Sequence, residues 1–139
     1  MSGVLLDTNV VSELTREAPA PPVVAFLRGR DDLWLSTLVS HELEFGLLLL
    51  PAGRRRDALR DVLSEIVRQY DDRILPVGRA AAEWAARFRA EARRRGRALD
   101  LGDALIAGTA RAHDLRVATR NVTDFEGPDL VVTNPWDSH

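Results

Sequence analysis

Apolar residues recur along this chain in two rhythms. Short unbroken runs predict strands: Gly3-Val-Leu-Leu6, Leu33-Trp-Leu-Ser36, Ile74-Leu-Pro-Val77, Arg116-Val-Ala-Thr119 and Leu130-Val-Val-Thr133. Between them lie segments of helical period. Residues 9–14 predict a short helical turn, and Pro19, Pro21 and Pro22 start a helix reaching about residue 28. Thr37 caps a helix over 38–50 that Pro51 and Gly53 close. Residues 54–70 are amphipathic, with Leu59, Val62, Leu63, Ile66 and Val67 on one face. A long alanine- and arginine-rich helix over 79–95 ends at Gly96. Asp100 caps a helix over 101–113, and residues 121–125 form a turn.

Strands alternating with helices, and runs apolar throughout, predict a parallel sheet covered on both faces. The expected fold class is α/β, a three-layer α/β/α sandwich with a central parallel sheet. At 139 residues, without internal repeat or linker, the expectation is a single domain spanning 1–139.

Four acids interrupt this pattern. Asp7 ends the first apolar run, Glu42 and Asp103 fall inside apolar helical stripes, and Asp124 follows the run ending at Thr119. Glu42 shares a face with Leu38, Phe45, Gly46 and Leu49; Asp103 shares one with Leu99, Ile106, Ala107 and Ala110. Burying an ionised carboxylate without a partner is costly, so such acids are usually paired, protonated or bound to a cation. In open parallel sheets, sites form beyond the carboxyl ends of the strands. Asp7 lies at such an end, Glu42 in the first turns after the second strand, and Asp124 after a later strand. Asp103 begins the helix that precedes that strand, so all four can meet at one rim.

Each acid also has a plainer explanation. Asp7 could cap the turn that follows, and Glu42 could pair with an arginine. Asp103 could join a capping arrangement with Asp100, and Asp124 could belong to an Asn-x-x-Asp turn. Together at one site, two like charges ~5 Å apart at an effective dielectric of ~20 repel by roughly 3 kcal/mol. Either the pKa values rise or cations enter. The chain has no cysteine, and its three histidines lack ligand spacing, so oxygen-only ligation suits Mg²⁺ or Mn²⁺ rather than zinc. His41 falls on the face beside Glu42 and is expected not to be a ligand. Asn9, Thr119 and Asn121 supply neutral polar groups close to the acids.

Composition narrows the chemistry further. All 19 basic residues are arginine. Without lysine there is no P-loop lysine and no Schiff base. An aspartyl phosphatase also fails, because it needs a lysine and a second Asp two residues after the first, where this chain has Asn9. A net charge of −2 conceals a run of arginines between Arg54 and Arg97, in which Arg54, Arg55 and Arg56 are candidates for nucleic-acid phosphates. Solvated helix faces balanced by Asp57, Asp61 and Glu65 explain the same run. With no signal peptide visible and no apolar run of membrane-spanning length, the expectation is a cytoplasmic protein without a membrane partner.

Four motifs in order carry a resemblance: Leu5-Leu-Asp-Thr-Asn-Val-Val-Ser-Glu13, Ser40-His-Glu-Leu-Glu-Phe-Gly46, Asp103-Ala-Leu-Ile-Ala107 and Ala118-Thr-Arg-Asn-Val-Thr-Asp-Phe125. Almost the whole chain resembles the PIN-domain toxins, the VapC-like ribonucleases of toxin–antitoxin pairs, and their FitB-like members especially. The resemblance implies a Mg²⁺- or Mn²⁺-dependent endoribonuclease with Asp7, Glu42, Asp103 and Asp124 as catalytic, metal-holding acids. Asp124 is implied to act through water or on a second metal. Thr8, Asn9, Thr119 and Asn121 match polar positions beside the site. It further implies a homodimer, a cognate VapB-like antitoxin, an RNA substrate, and operator DNA bound mainly through the antitoxin. Asp100 is an extra acid relative to the usual pattern and reads as a helix cap. The competing class is a non-catalytic binding module whose acids hold a structural cation or a partner's arginine, acting in antitoxin or operator DNA binding.

Overall fold

The computed structural model describes residues 3–125, 127 and 129–137. Its centre is a parallel five-stranded sheet of β1 (Val4–Leu6), β2 (Leu33–Ser36), β3 (Ile74–Leu75), β4 (Arg116–Ala118) and β5 (Val132–Thr133), in the order β3-β2-β1-β4-β5. Leu5 aligns with Trp34 on one side and Val117 on the other. Successive strand residues point to opposite faces, yet Leu5 and Leu6 are both fully buried, so both faces of the sheet are covered. The three-layer sandwich expected from the sequence is the observed fold.

Six helices fill the connections: α1 (Thr8–Glu13), α2 (Pro21–Leu27), α3 (Thr37–Leu48), α4 (Arg54–Arg68), α5 (Arg79–Arg94) and α6 (Leu101–Ala112). The strand order grows outward from β1 to β3, then restarts on the other side with β4. The gap between the carboxyl ends of β1 and β4 is therefore the switch point where an open α/β sheet offers a crevice.

Several boundaries differ from expectation for identifiable reasons. The cap of α3 is Ser36, whose hydroxyl accepts from the Val39 N–H at 3.4 Å. The hydroxyl of Thr37, the expected cap, instead accepts from the Val77 N–H at 3.2 Å and ties α3 to the chain after β3. The last strand is only two residues long, and Val131 is exposed.

The stripe assigned to Glu42 is not the core face of α3. Val39, Leu43 and Leu47 are buried, whereas Phe45 and Leu49 are 57% and 69% exposed. This helix is apolar around most of its circumference, so periodicity alone did not single out the buried side.

The tightest helix contact holds α6 in place. A Cβ on Gly108 would collide with the Ala81 carbonyl and come within 2.9 Å of the Ala85 N. Only glycine facing two buried alanines lets α5 and α6 approach this closely. That contact fixes the start of α6, where Asp103 lies.

Candidate active site

Asp7 follows β1 directly, and Thr119 follows β4. The sheet register brings them together: the Asp7 N–H donates to the Ala118 carbonyl at 2.9 Å, and the Thr119 hydroxyl donates to Asp7 Oδ2 at 2.7 Å. Asp7 Oδ1 accepts from the Thr8 N–H at 2.8 Å, so Asp7 is the cap residue of α1 as well as an acid of the crevice. Asn9 Nδ2 reaches Asp7 Oδ2 at 3.4 Å and the Thr119 hydroxyl at 3.3 Å, while the Asn121 N–H donates to that hydroxyl at 3.1 Å. The three neutral residues expected near the site therefore form one network around Asp7, Asn121 through its backbone.

Glu42 is held from the facing helix: the Thr8 hydroxyl donates to its Oε1 at 2.6 Å. Among the described residues, no arginine pairs with Glu42, Asp7, Asp103 or Asp124. Glu44, two residues from Glu42, pairs instead with Arg60 at 3.0 Å. His41 is exposed and stacks on Phe45.

Asp103 is not a cap. Asp100 caps α6, its Oδ2 accepting from the N–H groups of Gly102 and Asp103 at 3.0 and 3.4 Å. No described residue donates a hydrogen bond to the Asp103 carboxyl, although the residue is half-buried.

Asp7, Glu42 and Asp103 line one open cleft of about 530 Å³. Asp124 is exposed and does not line it; it lines an adjoining cavity that shares Asp103 as a wall. Arg54, Arg55 and Arg56 are absent from the cleft and lie beyond the far end of α3, where Arg56 reaches the Leu50 carbonyl at 3.5 Å. The cations that do line it, Arg16 and Arg120, were not anticipated from the sequence. Nor was Glu13, a buried acid whose pKa is lowered by the Ala20 N–H and, against the cost of burial, by Arg16. Glu13 is already satisfied, which sets it apart from its neighbours. The arginine three residues after it was the sequence signal for that pairing.

Electrostatics link the separated acids. Burial raises the pKa of Asp7; hydrogen bonds from Thr119 and Thr8 oppose the shift, and Glu42 and Asp124 add to it. Asp103 is pushed up to about 6, first by burial and then by Asp7, Asp124, Asp100 and Glu42. The donor set is all oxygen, as a hard divalent cation requires. As the side chains stand, however, no group of three or more His, Asp or Glu among the described residues is arranged to hold an ion.

The PIN domain family profile matches residues 4–126. The chain belongs to the PIN domain family. Toxin FitB of Neisseria gonorrhoeae is 38% identical over 136 residues, covering 96% of this PIN chain and 98% of its own length. VapC ribonuclease Y4jK of Sinorhizobium fredii is 37% identical over 137 residues, again 96% and 98% of the two chains. Among solved structures, FitAB bound to an IR36 DNA fragment superposes with a TM-score of 0.90 at 35% identity, over 98% of this chain and 97% of that one. These likenesses extend across the strands, α3 and α6 that carry the acids. Among the described residues, no helix of this PIN protein is long and apolar enough to cross a membrane.

Proposed function

We propose that the chain is the toxin of a toxin–antitoxin pair, a single PIN nuclease domain over 1–139 that hydrolyses RNA phosphodiester bonds with Mg²⁺ or Mn²⁺. The observation that carries this reading is the half-buried Asp103 carboxyl, without a hydrogen-bond donor and pushed up to about 6 by burial and four neighbouring acids. An ordinary structural acid is paired; this one is left in a state that a cation relieves. The similarity to a VapC ribonuclease along nearly the whole chain supports the substrate class.

In this reading Asp7, Glu42 and Asp103 are the ligands, and Asp124 supports them from the adjoining wall. A bound divalent cation supplies positive charge that acidifies an attacking water and offsets charge on the phosphodiester. The protein's own part is orientation. Thr119 and Asn9 fix the Asp7 carboxylate, and Thr8 fixes Glu42 from the helix that Asp7 caps. Arg16 and Arg120 at the mouth offer bidentate contacts for RNA phosphates, and Arg54, Arg55 and Arg56 add longer-range attraction.

A partner protein belongs to the same reading. Phe45, Leu48 and Leu49 leave an apolar strip of α3 at least half exposed, the kind of surface an antitoxin or a second copy covers. FitAB bound to DNA supports an antitoxin through which operator DNA is reached.

Asp7→Asn and Glu42→Gln test the assignment. Each is expected to reduce Mg²⁺-dependent RNA cleavage by at least about a hundredfold while leaving the fold intact. Full activity in both variants would mean that the acids hold a structural cation or a partner's arginine instead.

A further inference from the structure

Two arginines line the acid cleft, and they are engaged differently. Arg16 commits Nη1 to Glu13, 3.3 Å from each carboxylate oxygen. The Arg120 guanidinium pairs with no carboxylate among the described residues, although Glu13 feels its charge. It lies instead over the Trp136 ring, its central carbon 5.0 Å from the ring centroid. Trp136 is the sole aromatic side chain among the described residues that line the cleft. It is half-buried and backed by the core.

Both members of this stack are held in register with the acids. Arg120 lies between Thr119 and Asn121, and its own N–H donates to Asn9 Oδ1 at 3.3 Å. Asn9 is the residue whose amide reaches Asp7. On the other side, the Trp136 N–H donates to Asn134 Oδ1 at 2.9 Å, directly after β5, which pairs with β4. The distance from the stack to Asp7 is therefore set by the sheet and not by a free loop.

The cleft has room for more than an ion. Six waters around a cation occupy roughly 180 Å³ at about 30 Å³ each. The cleft holds about 530 Å³, within the range of sites that take a nucleotide-sized ligand. A guanidinium directs its N–H donors outward in its own plane and leaves its two faces for stacking. Trp136 covers one face of Arg120; Arg120 is exposed at the cleft, so the other remains open. Unstacked bases settle on aromatic rings and on arginine planes, with the strand's phosphates within reach of the arginine's edge.

We propose that the Arg120–Trp136 stack seats one base of the RNA strand, Arg120 covering the base with its face while its edge holds the adjoining phosphate toward Asp7. This rests on the ribonuclease reading for the strand. The stack makes no choice among the four bases, because each has a π-face.

The wild-type chain, without divalent cation and at low ionic strength, is titrated with pentauridine and with an abasic strand of the same length. Uridines stack little on one another, and the strands carry equal charge, so repulsion from the acids cancels in the ratio of affinities. Pentauridine is expected to bind at least about fivefold more tightly, the low end for one stacked base, and to quench tryptophan fluorescence where the abasic strand does not. Trp136→Leu should erase both effects. Trp136→Phe keeps a ring and should retain most of the preference, which separates a lost stack from a lost fold. Arg120→Lys keeps the charge without the plane, and should lower the preference while leaving the abasic strand's affinity unchanged. Equal affinities in the wild type, or a preference that survives both Trp136→Leu and Arg120→Lys, overturns the stack. A preference that holds while no RNA is cleaved under any metal leaves the stack standing and the ribonuclease reading fallen. Cleavage in Mg²⁺ without the preference does the reverse.

Discussion

Asp103→Asn should make this protein more stable, and only above acid pH. The carboxyl ordinarily titrates at 3.8 and is raised to about 6 in the folded chain. At full strength that difference corresponds to about 3 kcal/mol. Asp103 is only half-buried and faces an open cleft, so solvent screening leaves roughly half of it, near 1.5 kcal/mol. The sign follows from proton uptake. The folded state holds the Asp103 proton up to about 6, whereas the unfolded chain releases it near 3.8. The stabilisation from the bound proton is full below 3.8 and is lost as pH rises through about 6. Asparagine cannot ionise, so wild type and variant should melt together near pH 4 and diverge toward a plateau above pH 7. For a chain of this length the plateau amounts to a Tm about 3–6 °C higher in the variant. Thermal melts in metal-free buffers between pH 4 and 8 measure it. Asp7, raised in the same direction, is present in both proteins, so the quantity to follow is the difference in Tm. A difference that does not change with pH, or a variant less stable at pH 8, would refute the account of Asp103 as a strained carboxylate.

Three further outcomes follow from the same geometry. Mn²⁺ should raise the wild-type Tm and raise that of Asp103→Asn far less, with about 2.7 kcal/mol gained at a hundredfold excess over Kd; no shift at millimolar metal in a folded sample contradicts the metal reading. Thr8→Val removes the 2.6 Å bond that orients Glu42, and single-turnover RNA cleavage should fall by about tenfold, whereas an unchanged rate would make that hydroxyl incidental. Gly108→Ala forces a Cβ against the Ala81 carbonyl and should cost about 2 kcal/mol in urea unfolding; an unchanged midpoint would mean that α5 and α6 are not locked there.

The sequence made most of the scaffold legible because its strands are unbroken apolar runs bounded by Pro, Gly or an acid. Such runs have little choice but the middle of a covered sheet. The Asp7 position followed from the same logic, since an acid directly after a buried strand must lie at the strand's carboxyl end. Less legible were features decided by contacts between distant segments. Glu42 was assigned to a buried stripe because α3 is apolar on several sides, and only packing against the sheet selects Val39, Leu43 and Leu47. Ser36 and Thr37 are chemically equivalent caps in one dimension; the chain after β3 claims the second hydroxyl. The position of Asp124 on the far wall of Asp103 depends on the loop after β4, for which no periodic signal exists. Arg16 and Arg120 lie 104 positions apart in the chain and converge only through the β1–β4 pairing.

Asp103 is the partition between two compartments, and a partition that carries charge cannot isolate them. Neutralising it from the cleft changes the field felt in the neighbouring chamber, and an occupant of that chamber changes the field in the cleft. Thermodynamic reciprocity makes the two effects equal in free energy. Ligands that never touch should therefore report on each other through one side chain, as cooperativity without any movement of the fold.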